Sequence, residues 1–237
     1  EQEKGIIIVC SALGVARSFY DGFAKAFSRK GFDVITFDYR GTGQSEFEGP
    51  RENLCLEDWG RQDICALIRY AKDHGASGRV FLVGHSVGGQ LFCLADNARD
   101  LHGVVLAGAS FPHWARWPFP RNLLMLFFWY GMVPVLGLGR KRFPTKMLGL
   151  SKEDLPAGLV LTWARWARHP EYVLADKFGL DTRGFSTLDV PILSYGFDDD
   201  TYAPEKSVRR LLDAFGRARI RNEFLKAGEI SPKGMGH

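Results

Sequence analysis

The sequence predicts a doubly wound, mostly parallel α/β sheet that is interrupted once by an inserted, mainly helical segment. Short, continuous apolar runs rich in β-branched residues, of which Ile6 to Cys10 is the first, are typical of strands buried on both faces of a parallel sheet. Helical patterns separate these runs, and this alternation indicates parallel strands joined by crossover helices. The alternation stops only between Phe111 and about Phe185.

The predicted elements follow one another along the chain. Strands are predicted at Ile6 to Cys10, Val34 to Phe37, Val80 to Val83, Val104 to Ala107, Ile192 to Tyr195 and Arg221 to Leu225. Helices are predicted at Tyr20 to Lys30, Leu56 to His74, Gly89 to Ala95 and Pro204 to Phe215. Because glycine adopts the left-handed conformation without strain, Gly31 and Gly75 are expected to end the first two helices.

The length of 237 residues, 46% of them hydrophobic, suits one large domain with an insertion better than two equal domains. We predict a core of residues 1–110 and 186–237 and an inserted cap of residues 111–185. The cap holds five of the six tryptophans. Ligands are expected at the carboxyl ends of the core strands, as in other open parallel sheets.

Composition argues against several classes of protein. Lysine and arginine exceed aspartate and glutamate by 31 to 27, and a net charge of +4 is too small to indicate nucleic-acid binding. The four cysteines form no C-x-x-C pair, so neither a structural metal site nor a disulfide framework is expected. No signal peptide opens the sequence, and a reducing compartment, the cytoplasm, is the expected location.

Charge and hydropathy are uneven within the cap. No aspartate or glutamate occurs from Leu101 to Lys152, whereas seven lysines and arginines do. The cations indicate a solvated face, or one that attracts an anionic substrate or an acidic membrane surface. Asn122 to Gly139 contains 18 uncharged residues, but Pro134 and three glycines argue against a membrane-spanning helix. A buried or interfacial segment is expected instead, with a peripheral membrane contact through the cap as one interpretation.

The pentapeptide Gly84-His85-Ser86-Val87-Gly88 follows a predicted strand and precedes a helix-compatible run. This context places a serine in a sharp strand-to-helix turn, where side chains at the flanking glycine positions would clash with neighbouring backbone. Ser86 is therefore the candidate nucleophile. His85 is interpreted as a packing residue, because so sharp a turn points it away from its neighbour.

A serine of this kind needs a histidine base and an acid, which follow it in the order acid, then histidine. His237 is the only histidine beyond the last predicted strand, and it is the candidate base. Asp200 follows a predicted strand and is the candidate acid, with Asp199 as the alternative. A simpler interpretation is that Asp198, Asp199 and Asp200 all cap the next helix.

The backbone N–H of Val87, directly after the serine, is the first candidate donor to an oxyanion. The loop from Ser11 to Gly14, the motif from Asp38 to Ser45, the turn at Ser86 and the pair Asp200 and His237 resemble the α/β-hydrolase superfamily over nearly the whole chain.

The Leu155 to Trp166 stretch, with the three aspartates, is similar to a bacterial subgroup near the serine aminopeptidase-like and monoglyceride-lipase-like hydrolases. The resemblance implies an α/β-hydrolase fold and maps the second oxyanion donor to the N–H of Leu13, although the family's usual His-Gly pair is replaced by Ser11-Ala12. It also implies that segments before Glu1 and after His237 are missing from a longer chain.

These features predict a Ser-His-Asp hydrolase that cleaves carboxylic esters of a small-molecule acyl substrate through an acyl-enzyme, without a cofactor. Thioesterase, lactonase, amidase or peptidase and acyltransferase activities use the same residues and stay open, as does a non-catalytic ligand- or partner-binding role. Cap aromatics are expected to line an apolar acyl pocket, although packing against the sheet is the common fate of such residues. The candidates are Trp114, Trp117, Phe128, Trp129, Trp163 and Trp166.

Overall fold

The computed structural model describes residues 4–50, 53–230 and 234–237, and its framework is a parallel sheet. The strands of this sheet are β1 (Ile6–Cys10), β2 (Asp33–Thr36), β3 (Val80–His85), β4 (Gly103–Ala107), β7 (Pro191–Phe197) and β8 (Arg219–Leu225). Their spatial order is β2-β1-β3-β4-β7-β8, and each neighbouring pair is parallel. The predicted doubly wound sheet is confirmed.

Strand ends differ from the prediction by at most two residues. The pairing extends to Gly84 and His85 in β3 and to Gly196 and Phe197 in β7, and β8 begins at Arg219. Strand pairing depends on backbone groups, so it continues past the buried apolar residues that identify a strand in the sequence.

The helices flank the sheet or lie in the segment between β4 and β7. They are α1 (Asp21–Ser28), α2 (Leu56–Asp58), α3 (Cys65–His74), α4 (Val87–Leu91), α5 (Arg121–Phe127), α6 (Val133–Gly137), α7 (Ala157–Ala167), α8 (Arg183–Thr187), α9 (Glu205–Leu212) and α10 (Ala227–Ile230). A π-helical stretch, Trp59–Ile64, joins α2 to α3, so one helical run covers the predicted range from Leu56 to His74.

The two predicted glycine caps have different outcomes. Gly31 has a φ of +86°, as expected of a left-handed helix end. Gly75 has a φ of −78° and an extended conformation, so the predicted left-handed cap is wrong there. Glycine is needed at position 75 for a close approach, since a Cβ would lie 2.9 Å from the Ala71 carbonyl oxygen and 3.1 Å from the Ile6 side chain.

Strand β1 is buried on both faces, which explains its unbroken apolar sequence. Ile7 and Val9 pack in the cluster that contains Tyr20 and the partly buried side chains of α1. Ile8 lies between these two residues and points to the opposite face, where it belongs to the larger cluster that includes Ile68 of α3. Helices on both faces therefore exclude water from the centre of the sheet.

The two ends of the segment formed by residues 111–185 lie close together beside the sheet. Phe111 and Phe185 are both buried, and their ring centroids lie 5.5 Å apart. Besides helices, the segment contains a short antiparallel pair, β5 (Arg142–Phe143) and β6 (Leu155–Pro156), which the sequence pattern did not indicate. The two ends of the segment therefore lie side by side, and the division into a core and a cap stays a prediction.

The uncharged stretch from Asn122 to Gly139 forms α5, a π-helical turn (Phe128–Met132) and α6. Among the described residues, no helix has both the length and the apolar character needed to cross a bilayer.

Trp166 of α7 ties the proposed cap into the core. Its side chain is fully buried, and its ring packs edge-on against Tyr172 with centroids 5.6 Å apart. Tyr172 in turn contacts Phe111, and its hydroxyl donates a hydrogen bond to the Gln90 amide oxygen at 2.7 Å.

We expect Trp166→Ala to lower the free energy of unfolding by about 3–5 kcal/mol, because it removes a fully buried indole and leaves a cavity. Urea denaturation followed by circular dichroism measures this change. Phe127→Ala is the matched control, since that ring is 60% exposed and its removal leaves no cavity. Equal, small losses in the two variants would contradict this interpretation of Trp166.

Candidate active site

The turn between β3 and α4 presents Ser86 in a strained conformation. Ser86 has φ and ψ of +50° and −116°, and its N–H donates to the Ala107 carbonyl oxygen at 2.9 Å. A Cβ on Gly88 would lie 2.2 Å from the carbonyl oxygen of Cys10, so only glycine allows the turn to pack against β1. The local reason for the glycine-rich motif is therefore the one expected from the sequence.

Three candidate residues from distant parts of the chain lie in one hydrogen-bonded row. The Ser86 hydroxyl donates to Nε2 of His237 at 2.7 Å, and Nδ1–H of His237 donates to Oδ2 of Asp200 at 2.8 Å. Oδ1 of Asp200 also accepts from the N–H groups of Tyr202 and Ala203, at 2.8 and 2.9 Å. The Asp200 side chain has no exposed surface, so its orientation is set by these three partners.

The other two aspartates hold neighbouring loops and do not contact the imidazole. Oδ2 of Asp199 accepts from the N–H groups of Met235 and Gly236 at 2.8 and 3.0 Å, and these bonds lower the pKa of Asp199. Oδ1 of Asp198 accepts from the Ala227 N–H at 2.8 Å. The interpretation in which all three aspartates cap the next helix is therefore wrong, because each carboxylate binds a different part of the backbone.

His85 lines the cavity above the row, contrary to the prediction that it only packs. Its Nδ1 accepts a hydrogen bond from the Tyr20 hydroxyl at 2.8 Å, and that hydroxyl accepts from the Ala12 N–H at 3.0 Å. The ring centroids of His85 and His237 are 5.4 Å apart. Burial and, secondarily, the charge of His237 lower the pKa of His85 to about 4, so its ring is neutral with the proton on Nε2.

The two candidate oxyanion donors lie on opposite sides of the serine in the sequence. Val87 is the first residue of α4, and its side chain is fully buried while its backbone follows Ser86 directly. Leu13 lies in the loop after β1 and lines the same cavity as Ser86. Tyr20 fixes this loop through the N–H of Ala12, the residue before Leu13.

A cavity of about 460 Å³ opens above the hydrogen-bonded row and is lined mostly by apolar side chains. Four of the six predicted aromatic residues line it: Trp117, Phe128, Trp129 and Trp163. Sequence analysis missed Met125 and Met132, which lie at helical spacing from Phe128 and share its face of the α5–α6 run. That spacing is the signal that could have identified them.

Trp114 and Trp166 do not line the cavity, so their assignment as substrate-binding residues is wrong. Trp166 is three positions from Trp163 on α7, so the two side chains point in different directions around the helix axis. Trp166 points into the core and packs against Tyr172. Trp114 is half-buried and packs beside His113, with ring centroids 5.6 Å apart.

The neutral His85 predicts a pH dependence of stability. Because its pKa is about 4 in the folded chain and about 6.5 when unfolded, the unfolded chain binds more protons between these values. The free energy of unfolding should therefore fall as pH decreases from 6.5 to 4, by up to about 1.4 kcal/mol per pH unit from this group.

Urea midpoints across this range should show a shallower dependence for His85→Gln than for the parent chain, because glutamine stays neutral. His74→Gln is the control, since that ring is exposed on α3. If His85→Gln kept the full slope, the buried neutral histidine would be excluded as its source.

Comparison with known proteins agrees with this architecture. The model of the alpha/beta hydrolase family matches residues 7–237. An uncharacterized 31.7 kDa protein of Escherichia coli, from the traX-finO intergenic region, is 36% identical over 87 residues. That alignment spans 35% of this chain and only 29% of the relative.

Solved structures share the fold at low sequence identity. A monoacylglycerol lipase from Paleococcus ferrophilus superposes with a TM-score of 0.63 and 17% identity, covering 94% of this chain and 85% of the lipase. An esterase from Exiguobacterium antarcticum superposes with a TM-score of 0.61 and 16% identity, covering 98% and 88%. With the family model matching nearly the full length, the chain belongs to the alpha/beta hydrolase family.

Proposed function

We propose that the protein is a serine hydrolase that cleaves carboxylic esters with an apolar acyl or alcohol group through an acyl-enzyme intermediate. The observation that carries this proposal is the continuous row of hydrogen bonds from Ser86 through His237 to the buried Asp200, at the floor of an apolar cavity. This is the arrangement that increases the nucleophilicity of a serine hydroxyl.

In the first step, Oγ of Ser86 attacks the ester carbonyl carbon as Nε2 of His237 takes the hydroxyl proton. The Asp200 carboxylate accepts a hydrogen bond from Nδ1–H of His237. This bond leaves Nε2 unprotonated to receive the serine proton, and it stabilises the imidazolium that forms. The tetrahedral intermediate collapses when His237 donates its proton to the leaving alkoxide. Water, deprotonated by the same histidine, then attacks the acyl carbon, and the histidine returns that proton to Oγ of Ser86 as the carboxylic acid leaves.

Developing negative charge on the carbonyl oxygen needs fixed donors. We assign this role to the N–H groups of Leu13 and Val87. The hydrogen bond from Ala12 to Tyr20 supports the assignment, because it restrains the loop that presents the Leu13 N–H. A backbone donor needs no particular side chain, so the replacement of a His-Gly pair by Ser11-Ala12 leaves the chemistry available.

Cysteine is excluded as an alternative nucleophile near this turn. Cys10 ends β1 beside the Ser86 turn, but it is fully buried, and desolvation raises its pKa to about 12. Its thiol stays protonated at neutral pH and is not exposed to a substrate.

The cavity supports an apolar substrate group. Its aromatic and methionine side chains offer few hydrogen-bonding partners, so they favour an acyl chain or an apolar alcohol over a polar group. A monoacylglycerol lipase and an esterase among the proteins of the same fold support the choice of an ester as the substrate.

The proposal predicts hydrolysis of p-nitrophenyl esters, with kcat/KM that rises with acyl length until the cavity is filled. Ser86→Ala should lower kcat by a factor of about 10⁴ or more, and Asp200→Asn by about 10⁴, because each interrupts the row. Parallel assays with a thioester and a peptide identify the bond type that the chain prefers.

Ser110→Ala is the matched control, because Ser110 lines the same cavity but is not part of the row. It should retain kcat within a few-fold. Undiminished ester hydrolysis by pure Ser86→Ala, or an equal loss in Ser110→Ala, would contradict the mechanism.

A further inference from the structure

The outer face of the α5–α6 run exposes an unusual number of apolar side chains. Leu123, Phe127 and Tyr130 follow one another at spacings of four and three residues, so they lie on one face of the helix, and each is more than half exposed. Val135 and Leu138 continue the exposed series at 77% and 81%. We call these five residues the outer face. Exposed apolar side chains in such a cluster indicate an interaction surface.

The opposite face of the same helical run lines the catalytic cavity. Met125, Phe128, Trp129 and Met132 contribute to the cavity wall. Leu124 belongs to both surfaces, because it lines the cavity and is 56% exposed. The side chain of Leu124 therefore lies between the cavity and the outer face.

Unpaired cations flank the outer face in the sequence. Arg121 begins α5, and Arg140, Lys141 and Lys146 follow α6, all of them exposed. In the described part of the chain, none of these four forms an ion pair with a carboxylate. The sequence between Leu101 and Lys152 contains no acid that could neutralise them.

This combination of apolar and cationic groups selects one kind of partner. A second copy of the chain would bring the same cations close to their own equivalents, which repel one another in a symmetric interface. An anionic lipid surface satisfies both features, since its headgroups attract the cations and its acyl boundary accepts the apolar side chains.

We propose that the outer face docks on bilayers that contain anionic phospholipid, with the helix lying in the plane of the interface. This surface contact places the cavity next to the lipid at Leu124. The inference goes beyond the proposed function and does not depend on it, because docking requires no catalysis.

Co-sedimentation with vesicles tests the proposal in the Ser86→Ala chain, which cannot consume the lipid if the proposed mechanism is right. Vesicles of phosphatidylcholine alone are compared with vesicles that also contain phosphatidylglycerol, at low and high salt. We expect binding to the anionic vesicles, weakened by salt because the cations contribute through screened electrostatics.

Two variants separate the contributions of charge and apolar contact. Arg140→Gln with Lys141→Gln should weaken binding to anionic vesicles about twenty-five-fold, because each cation contributes roughly fivefold. Phe127→Gln should weaken it about tenfold by removing an inserted ring. The matched controls are Lys25→Gln with Arg29→Gln, exposed cations at α1, and Tyr70→Gln, an exposed ring on α3. The controls should bind as the parent chain does.

Several outcomes would overturn the proposal. These are absence of binding, equal binding to neutral and anionic vesicles, and equal losses in the control variants. A dimer in sedimentation velocity that Phe127→Gln dissociates would also overturn it, because a second copy would then cover the outer face.

Discussion

The site depends on one backbone constraint, the positive φ of Ser86 between β3 and α4. A non-glycine residue in this conformation costs on the order of 1–3 kcal/mol, so the surrounding structure must hold it. The N–H of Ser86 donates a hydrogen bond to the Ala107 carbonyl oxygen of β4, and Gly88 packs against the Cys10 backbone of β1. The two strands beside β3 thus fix the hydroxyl at the carboxyl edge of the sheet, where the loops after β1 and β7 can reach it.

A second set of contacts brings the candidate base, His237, to Ser86. The three consecutive aspartates after β7 accept hydrogen bonds from three different places. Asp198 binds the first residue of α10, and Asp199 binds the backbone just before His237. Asp200 binds the His237 ring. Carboxylates so close in sequence remain separate in function because each accepts from different backbone or ring N–H groups. The acidic turn therefore holds the backbone just before His237 and also orients the His237 ring.

Sequence analysis predicted the parts of this structure that local pattern or chain order determines. The sheet followed from apolar runs, Ser86 from its strand and helix context, and His237 from its position after the last strand. The roles of Asp199 and of the Tyr20–His85 pair could not be predicted, because they depend on side chains that meet only in the folded chain. Trp163 and Trp166 could not be told apart from the sequence, because both are tryptophans of the same predicted cap. Their positions around the axis of α7 direct Trp163 to the cavity and Trp166 to the core.

We expect the folded chain to activate one serine hydroxyl, that of Ser86, among all of its serines. Labelling with a fluorophosphonate probe, followed by mass analysis of the peptides, measures this reactivity directly. The expected result is a single adduct on Ser86 that forms in the folded chain and does not form when the chain is unfolded in urea. A folded chain that remains unlabelled, or that is labelled at other serines as fast as at Ser86, would contradict it.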